Sequence, residues 1–319
     1  MRMDSPLPLP LYLEKWQPKS QFLSLRGLRT HLRTWSKPEK QQAERPKIIF
    51  LHGWMDVSAS FQFLIDALPP AFQAYELLAP DWRGYGLTEP APDVSGGYWF
   101  ADYVADLDAL VTALSPDRPV ILIGHSLGGN IACIYAGIRP ERVSKLVSLD
   151  GFGLRSNKPE TAAEKFRDWL DAIADPKPLK SYPSEAAVAE RLRKNNPLLE
   201  ADKAHYLARH WSTQKDDGQY HLLADAAHKL PFSHLYRLEE SLAIWRQVSA
   251  AVMWLAAGQS HIAPYLGYDQ HAKPHLAEEF GTRLAAFSQM RYEMIAPASH
   301  MLHHEQEDVI ATLLEDFLL

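Results

Sequence analysis

Short apolar runs that alternate with helical patterns constrain the fold of this chain most strongly. Six of them have about strand length, and they span residues 47–53, 76–82, 120–126, 146–153, 251–258 and, more weakly, 291–300. Near-continuous apolar runs are typical of strands that are buried on both faces. Since helical patterns separate the first four runs, the sequence predicts a mostly parallel central sheet flanked by helices, that is, an α/β fold.

The alternation is interrupted between about Leu154 and Trp245, where helical patterns dominate and prolines separate them. We therefore expect a core domain in two parts, residues 1–153 and 246–319, with a helical cap inserted at 154–245. Ligands of open α/β sheets bind beyond the carboxyl ends of the strands, where such an insertion would lie. The alternative is an ordinary helical subdomain. Near the start, "FLSLRGLRTHLRTW" (22–35) predicts an antiparallel hairpin at the sheet edge.

The composition argues against several classes of protein. The 319 residues carry a net charge of -6, whereas a nucleic-acid-binding protein would be expected to show a basic footprint. No run approaches the ~18 apolar residues of a membrane span. The first residues lack a signal-peptide pattern, so we expect a cytoplasmic protein. The single cysteine, Cys133, lies in an apolar helical stretch and is interpreted as a buried, inert thiol.

The stretch "VILIGHSLGG" carries the strongest indication of chemistry. Its segment Gly124 to Gly128 fits G-x-S-x-G between a strand-like run and a helix, which is the context that the nucleophile-elbow motif requires. The turn would expose the hydroxyl of Ser126 near a helix N-terminus, where partial positive charge favours an oxyanion. The alternative is a glycine-rich turn with a bystander serine.

Three further motifs extend the pattern. "LHGWMD" (51–56) resembles an oxyanion loop, "PDWRGYGLT" (80–88) resembles a D-x-R-G-x-G turn, and "ASHMLHHEQ" (298–306) resembles a G-H-x-x-x-x-E terminus. With the elbow, they make the chain similar to the α/β-hydrolases over nearly its whole length. The departures are Ser299 where glycine is usual, Glu307 where proline is usual, and a missing carboxylate after Gly258.

The resemblance implies a set of catalytic roles. Ser126 would be the nucleophile, and His300 its general base, because the family pattern places Glu305 five positions after the base. The backbone N–H groups of Leu127 and Trp54 would bind the oxyanion. His303 and His304 complete an H-x-x-H-H pattern that could suggest a metal site. Since the sequence offers no convincing carboxylate or cysteine partner, we predict no metal.

The acid of such a triad usually follows the strand that ends here at Gly258. That loop carries His261, and neither Asp nor Glu occurs from Val252 to Pro264. Asp150 ends the strand-like run before the predicted cap, and some family branches, including haloalkane dehalogenases and certain lipases, carry the acid there. We therefore assign Asp150, with Asp269 as the rival, because a strand tip holds a side chain more rigidly than a loop. The alternative is that Asp150 is only a turn residue.

These assignments predict a carboxylesterase-like serine hydrolase of a small-molecule substrate that needs no cofactor. His125, Trp169 and Trp211 are the candidate pocket residues. A cofactor-independent ring-cleaving dioxygenase and a carbon–carbon bond hydrolase are alternatives on the same framework. A non-catalytic ligand-binding protein of this fold is the third alternative. The sequence does not predict the oligomeric state.

Overall fold

A computed structural model describes residues 11–35, 45–262, 266 and 278–319. The strands are β1 (Lys19–Leu25), β2 (Leu28–Thr34), β3 (Lys47–Leu51), β4 (Glu76–Pro80), β5 (Val120–His125), β6 (Val143–Leu149), β7 (Ser181–Tyr182), β8 (Ser212–Gln214), β9 (Tyr220–Leu222), β10 (Ala251–Ala257) and β11 (Met290–Ile295). The α-helices are α1 (Gln62–Ala67), α2 (Phe100–Leu114), α3 (Leu127–Ile138), α4 (Ala162–Ala174), α5 (Glu185–Asn195), α6 (Ala201–Trp211), α7 (Leu238–Trp245), α8 (Glu278–Ala285), α9 (Leu302–Glu305) and α10 (Glu307–Leu318).

Eight strands form one twisted sheet in the order β1-β2-β4-β3-β5-β6-β10-β11. The β1–β2 hairpin and the β2–β4 pair are antiparallel, and the other neighbours are parallel. Every residue of β3, β4 and β5 is buried, as parallel strands covered on both faces require. Each of the six apolar runs overlaps a strand, so the predicted α/β fold is confirmed. The predicted edge hairpin is also found, with its turn at Arg26 and Gly27.

The chain between β6 and β10 contains four helices, α4 to α7, and a second sheet. The strands of this sheet have the order β7-β9-β8 and pair antiparallel. The sequence pattern did not single them out, because strands of two or three residues are too short for alternating polarity to show.

Two helical faces in this segment differ in how they pack. On α6, the apolar residues Ala204, Leu207 and Ala208 share a helical spacing and are buried. On α4, the apolar residues Phe166 and Leu170 are 46% and 53% exposed, so this side of the helix lies on the surface of the described chain. The helical period therefore identified both helices but not what each one packs against.

The 154–245 segment packs through an aromatic ring against α2 and the chain between β4 and α2. The ring of His228 stacks between Tyr85 and Tyr98, at centroid distances of 3.7 and 3.8 Å. Tyr103 completes the contact, since its hydroxyl lies 2.9 Å from Nδ1 of His228. Burial lowers the pKa of His228 to about 3, so the stacked ring is neutral. None of the helices in the described ranges has the length and apolar character that crossing a membrane requires.

Candidate active site

Ser126 lies on a sharp turn between β5 and α3. Its backbone has φ 50° and ψ -113°, a strained conformation for a residue other than glycine. The flanking glycines make the turn possible. A Cβ on Gly128 would lie 2.0 Å from the carbonyl oxygen of Leu51, and one on Gly124 would lie 2.4 Å from the backbone of Gly128. The local sequence therefore dictates a strand–turn–helix with the serine at its apex.

The loop after β3 runs directly beside this turn. A Cβ on Gly53 would lie 3.4 Å from Cβ of Ser126, so the next residue, Trp54, starts close to the serine. Leu127 is the first residue of α3, where N–H groups have no acceptor within the helix. Within the described ranges, the N–H groups of Trp54 and Leu127 donate no backbone hydrogen bond. Both of the predicted oxyanion donors are thus free to bind a ligand.

His52 holds this loop in place. Its Nδ1 donates to the carbonyl of Gly53 at 2.8 Å, and its Nε2 accepts from the N–H of Trp82 at 2.9 Å. Burial lowers the pKa of His52 to about 4, which keeps the ring neutral and able to accept. The contacts of His52 are therefore those of a residue that supports the loop. The indole of Trp54 extends away, and its Nε1 donates to the carbonyl of His228 at 3.0 Å.

Asp150 follows β6, the neighbour of β5, and is 1% exposed. Its backbone has φ 52°, and its N–H donates to the carbonyl of Leu255 in β10. The carboxylate accepts from the N–H of Ala257 at 3.1 Å and from the hydroxyl of Ser260 at 2.5 Å. Two strand ends therefore fix the orientation of this carboxylate.

His300 connects the acid to the serine. Its Nδ1 lies 2.6 Å from Oδ2 of Asp150, and its Nε2 lies 3.0 Å from Oγ of Ser126. A carboxylate accepts only, so Nδ1 carries the proton and Nε2 is free to take one from the hydroxyl. The structure brings together the three residues to which the sequence assigned the catalytic roles.

The turn that carries His300 is fixed from two sides. Glu305 accepts from the N–H of Ser299 at 2.7 Å and also from its hydroxyl. Nε2 of His125 donates to the carbonyl of His300 at 2.8 Å. His125 is 2% exposed, and burial lowers its pKa well below the ordinary value. The structure thus gives His125 a supporting contact behind the site, whereas the sequence suggested a place in the pocket.

Ser260 is the residue of this site that sequence reasoning missed. It lies in the loop after β10, where the family usually carries its acid, and it donates to Asp150 instead. The sequence signal that could have identified Ser260 was its position in the loop where the usual carboxylate is missing. The neighbouring His261 is exposed and contacts the His300 ring edge-on, with centroids 4.8 Å apart. Asp269, the rival acid, lies outside the described residues.

The two cap tryptophans lie on different helices. Nε1 of Trp169 on α4 donates to the carbonyl of Gly96, and Trp211 ends α6 beside an apolar cluster. Among the described residues, no hydrogen bond or ring contact joins either indole to Ser126, Asp150 or His300. Their role in the pocket stays a prediction.

Asp56, in the predicted oxyanion loop, is a carboxylate neighbour of His303 and His304 that the sequence did not indicate. A potential ligand atom of each residue lies within 4.8 Å of the other two, and all three residues are buried. The absence of a metal stays a prediction, and it has lost the support of a missing carboxylate. Burial raises the pKa of Asp56 to about 7 and lowers those of His303 and His304 well below the ordinary value. The sequence could not show this, because Asp56 is remote from the two histidines along the chain.

Comparison with known proteins agrees with the fold. A family model described as "alpha/beta hydrolase fold" matches residues 46–307, and the chain belongs to this family. The Danio rerio "Serine hydrolase-like protein" is 28% identical over 277 residues, which cover 85% of this chain and 81% of that protein. The Homo sapiens "Serine hydrolase-like protein 2" is 26% identical over 284 residues, which cover 86% of this chain and 87% of that protein.

Solved structures show the same architecture. The thioesterase domain from the curacin biosynthetic pathway superposes with a TM-score of 0.78 at 22% identity, covering 94% of this chain and 99% of that one. E-2-(Acetamidomethylene)succinate hydrolase superposes with a TM-score of 0.71 at 18% identity, covering 95% and 99%. At these identities the likeness concerns the fold, and the predicted α/β-hydrolase fold is confirmed.

Proposed function

We propose that this protein is a carboxylesterase-like serine hydrolase that cleaves a carboxylic ester or a related acyl compound. The observation that carries the proposal is the hydrogen-bond chain from Asp150 through His300 to Ser126, with distances of 2.6 and 3.0 Å. A serine hydroxyl becomes a strong nucleophile when a neighbouring base accepts its proton and a third group orients that base. The names of the zebrafish and human relatives, which are serine hydrolase-like, support the same reaction class.

The first half of the reaction forms an acyl-enzyme. Oγ of Ser126 attacks the carbonyl carbon while Nε2 of His300 takes the hydroxyl proton. Asp150 stabilises the resulting imidazolium through Nδ1. The negative charge that develops on the carbonyl oxygen is bound by the N–H groups of Leu127 and Trp54. Each such donor is typically worth ~2.7–4 kcal/mol of barrier.

To complete the acyl-enzyme, His300 gives its proton to the leaving alcohol as the carbon–oxygen bond of the ester breaks. In the second half of the reaction, Nε2 of His300 takes a proton from water, which attacks the acyl carbon. His300 then gives this proton to Oγ of Ser126 as the bond between Oγ and the acyl carbon breaks and the acid is released. Every proton moves through Nε2 of His300, and no step uses a cofactor.

The proposal includes a cap formed by residues 154–245, inserted into a core of residues 1–153 and 246–319. Support comes from the contacts of this segment with the loops around the site. The carbonyl of His228 accepts from the indole of Trp54, and Trp169 donates to Gly96. In this arrangement Trp169 and Trp211 would supply apolar walls for the acyl group. A cytoplasmic location belongs to the same proposal.

The test is hydrolysis of p-nitrophenyl esters of increasing acyl length by wild type and by Ser126→Ala. We expect turnover by the wild type only, and a fluorophosphonate should label Ser126 irreversibly. Ser144→Ala is the matched control, because Ser144 lies on neighbouring β6 and its hydroxyl donates to the carbonyl of Val120. Equal turnover by Ser126→Ala would contradict the proposal.

The same assay separates the alternatives. If folded wild type neither hydrolyses any ester nor reacts with the fluorophosphonate, ring-cleaving oxygenation of heteroaromatic substrates and carbon–carbon hydrolysis would be tested next. Binding of an ester without turnover by the wild type would favour a ligand-binding protein.

A further inference from the structure

Three potential metal ligands meet in the interior, next to the turn that carries His300. One ligand atom from each of Asp56, His303 and His304 lies within 4.8 Å of the other two. Asp56 and His304 are 2% exposed, and His303 is 0% exposed. None of them has a role in the proposed reaction, so the cluster needs an explanation of its own.

The cluster contains polar atoms that the protein leaves without partners. Within the described ranges, neither ring nitrogen of His303 has a hydrogen-bond partner, and Oδ2 of Asp56 has none. Buried polar atoms are nearly always paired, so three such atoms in two adjacent side chains are unusual. A neutral imidazole offers one lone pair and a carboxylate offers several, and a cation between them would satisfy both residues.

We propose that Asp56, His303 and His304 bind one divalent transition-metal ion of the Zn²⁺ type. One carboxylate and two imidazoles are a donor set that suits Zn²⁺ and Co²⁺. Ca²⁺ and Mg²⁺ prefer oxygen ligands and would bind poorly. Three protein ligands leave the fourth position of a tetrahedral site for water.

The surroundings orient the ligands. Nε2 of His304 lies 2.6 Å from the hydroxyl of Ser60, a contact that holds the imidazole in a fixed orientation. Oδ1 of Asp56 accepts from the N–H of Val57 at 2.8 Å, so the other carboxylate oxygen is the available ligand. The nearby ammonium of Lys203 lies 2.5 Å from Oε1 of Glu307, which offsets its repulsion of a cation.

The proposed metal site lies next to His300, the proposed general base. His303 follows His300 on the same turn, and the His125 ring lies between them, with centroids 4.4 Å from His303 and 4.7 Å from His300. A bound ion would fasten the start of α9 to the oxyanion loop through Asp56. We therefore expect the ion to stabilise the folded chain without touching the reacting atoms.

The experiment uses the full chain, freed of metal with a chelator and then given Co²⁺. After gel filtration we expect one Co²⁺ per chain, with the visible absorption of a tetrahedral nitrogen and oxygen site. Asp56→Asn and His303→Gln should each lose the ion. His221→Gln is the matched control, since His221 forms an exposed pair with Asp217 at 2.8 Å, and it should retain the ion. Retention of Co²⁺ by both cluster variants would overturn the proposal.

A second measurement needs no variant. The melting temperature of the wild type should rise progressively with Zn²⁺ concentration, because an ion that binds only the folded chain stabilises it. Mg²⁺ at the same concentrations should produce no rise. Wild type that retains no Co²⁺ and shows no Zn²⁺-dependent rise has no such site, and the proposal fails irrespective of ester hydrolysis.

Discussion

The hydroxyl of Ser260 donates to Oδ2 of Asp150 across 2.5 Å. Oδ2 is also the atom that faces Nδ1 of His300. The loop after β10 lacks the carboxylate that the family usually carries there, and residues 258–262 include neither Asp nor Glu. It still contributes to the site, because its Ser260 hydroxyl orients the carboxylate of Asp150, which follows β6.

Replacing Ser260 by alanine should lower kcat for ester hydrolysis about 10-fold and leave KM nearly unchanged. A hydrogen bond to a charged group is worth about 1.5–3 kcal/mol, and its loss would let Asp150 rotate away from His300. Steady-state kinetics over a range of pH should show the loss at every pH at which the wild type is active. Ser249→Ala is the control, since Ser249 is exposed and its hydroxyl donates to the carbonyl of Pro140. Wild-type kcat in Ser260→Ala would contradict a positioning role.

Asp150→Asn should keep the fold but lower kcat by roughly 10⁴-fold, because an amide favours the wrong tautomer of the base. Added to Ser126→Ala it should cause little further loss, since residues that act as a unit are not additive. Single-variant and double-variant kinetics check both statements. If Asp269 were the acid, Asp269→Asn would lose the activity that Asp150→Asn retains.

Gly128→Ala should destabilise the protein by about 3 kcal/mol or more, because the added methyl would lie 2.0 Å from the carbonyl oxygen of Leu51. Gly218→Ala is the control for backbone strain. Gly218 has φ +76°, and its added methyl would have no neighbour within 4 Å, so the cost should be only about 1–2 kcal/mol. Urea unfolding of both variants measures the difference, and equal losses would show that crowding at the elbow is unimportant.

Lys203→Met should destabilise the protein by roughly 1–3 kcal/mol. The ammonium of Lys203, on α6, is buried, donates to the carbonyl of His304 at 3.0 Å and pairs with Glu307 at 2.5 Å. Lys177→Met is the control, because Lys177 pairs with Asp175 on the exposed surface, where such pairs contribute ~0–1 kcal/mol. Thermal unfolding compares the two. The double variant Lys203→Met with Glu307→Gln should recover part of the loss, and no recovery would argue against the pair.

Stability should decline as the pH falls from about 6.5 toward 4. Burial lowers the pKa of His52 and His210 to about 4, and that of His228 to about 3. A group with a depressed folded pKa binds protons first in the unfolded chain, so acid favours unfolding. Burial raises the pKa of Asp56 from 3.8 to about 7, so between these pH values the folded chain binds this proton more tightly than the unfolded chain does. Asp56 therefore favours folding as the pH falls, in the opposite direction to the histidines. The histidines outnumber it, and the slope should exceed about 1.4 kcal/mol per pH unit near pH 5. Urea unfolding at a series of pH values measures this slope, and a flat profile would contradict neutral burial.

The sequence alone predicted those features of the fold and the site that depend on local periodicity or on a motif. The apolar runs identify the six main strands, and the glycines around Ser126 identify the elbow, because each is dictated by neighbouring residues. Features that depend on contacts between remote segments were not predictable. Ser260 becomes a partner of Asp150, and Asp56 a partner of His303, only after the sheet has brought separate strand ends together. Glu307, a departure from the family pattern, likewise forms its ion pair with a residue remote in sequence, Lys203.

The placement of the three proposed catalytic residues also sets the order in which they become available during synthesis. Ser126 and Asp150 follow adjacent strands of one β–α–β unit, whereas His300 is contributed 150 residues after Asp150. A nascent chain that has emerged through β6 can already hold the nucleophile beside its acid. It has no base until the 154–245 segment, β10 and β11 have followed. In the proposed mechanism the serine would therefore lack its base in every shorter translation intermediate, and hydrolysis would require His300, which follows β11.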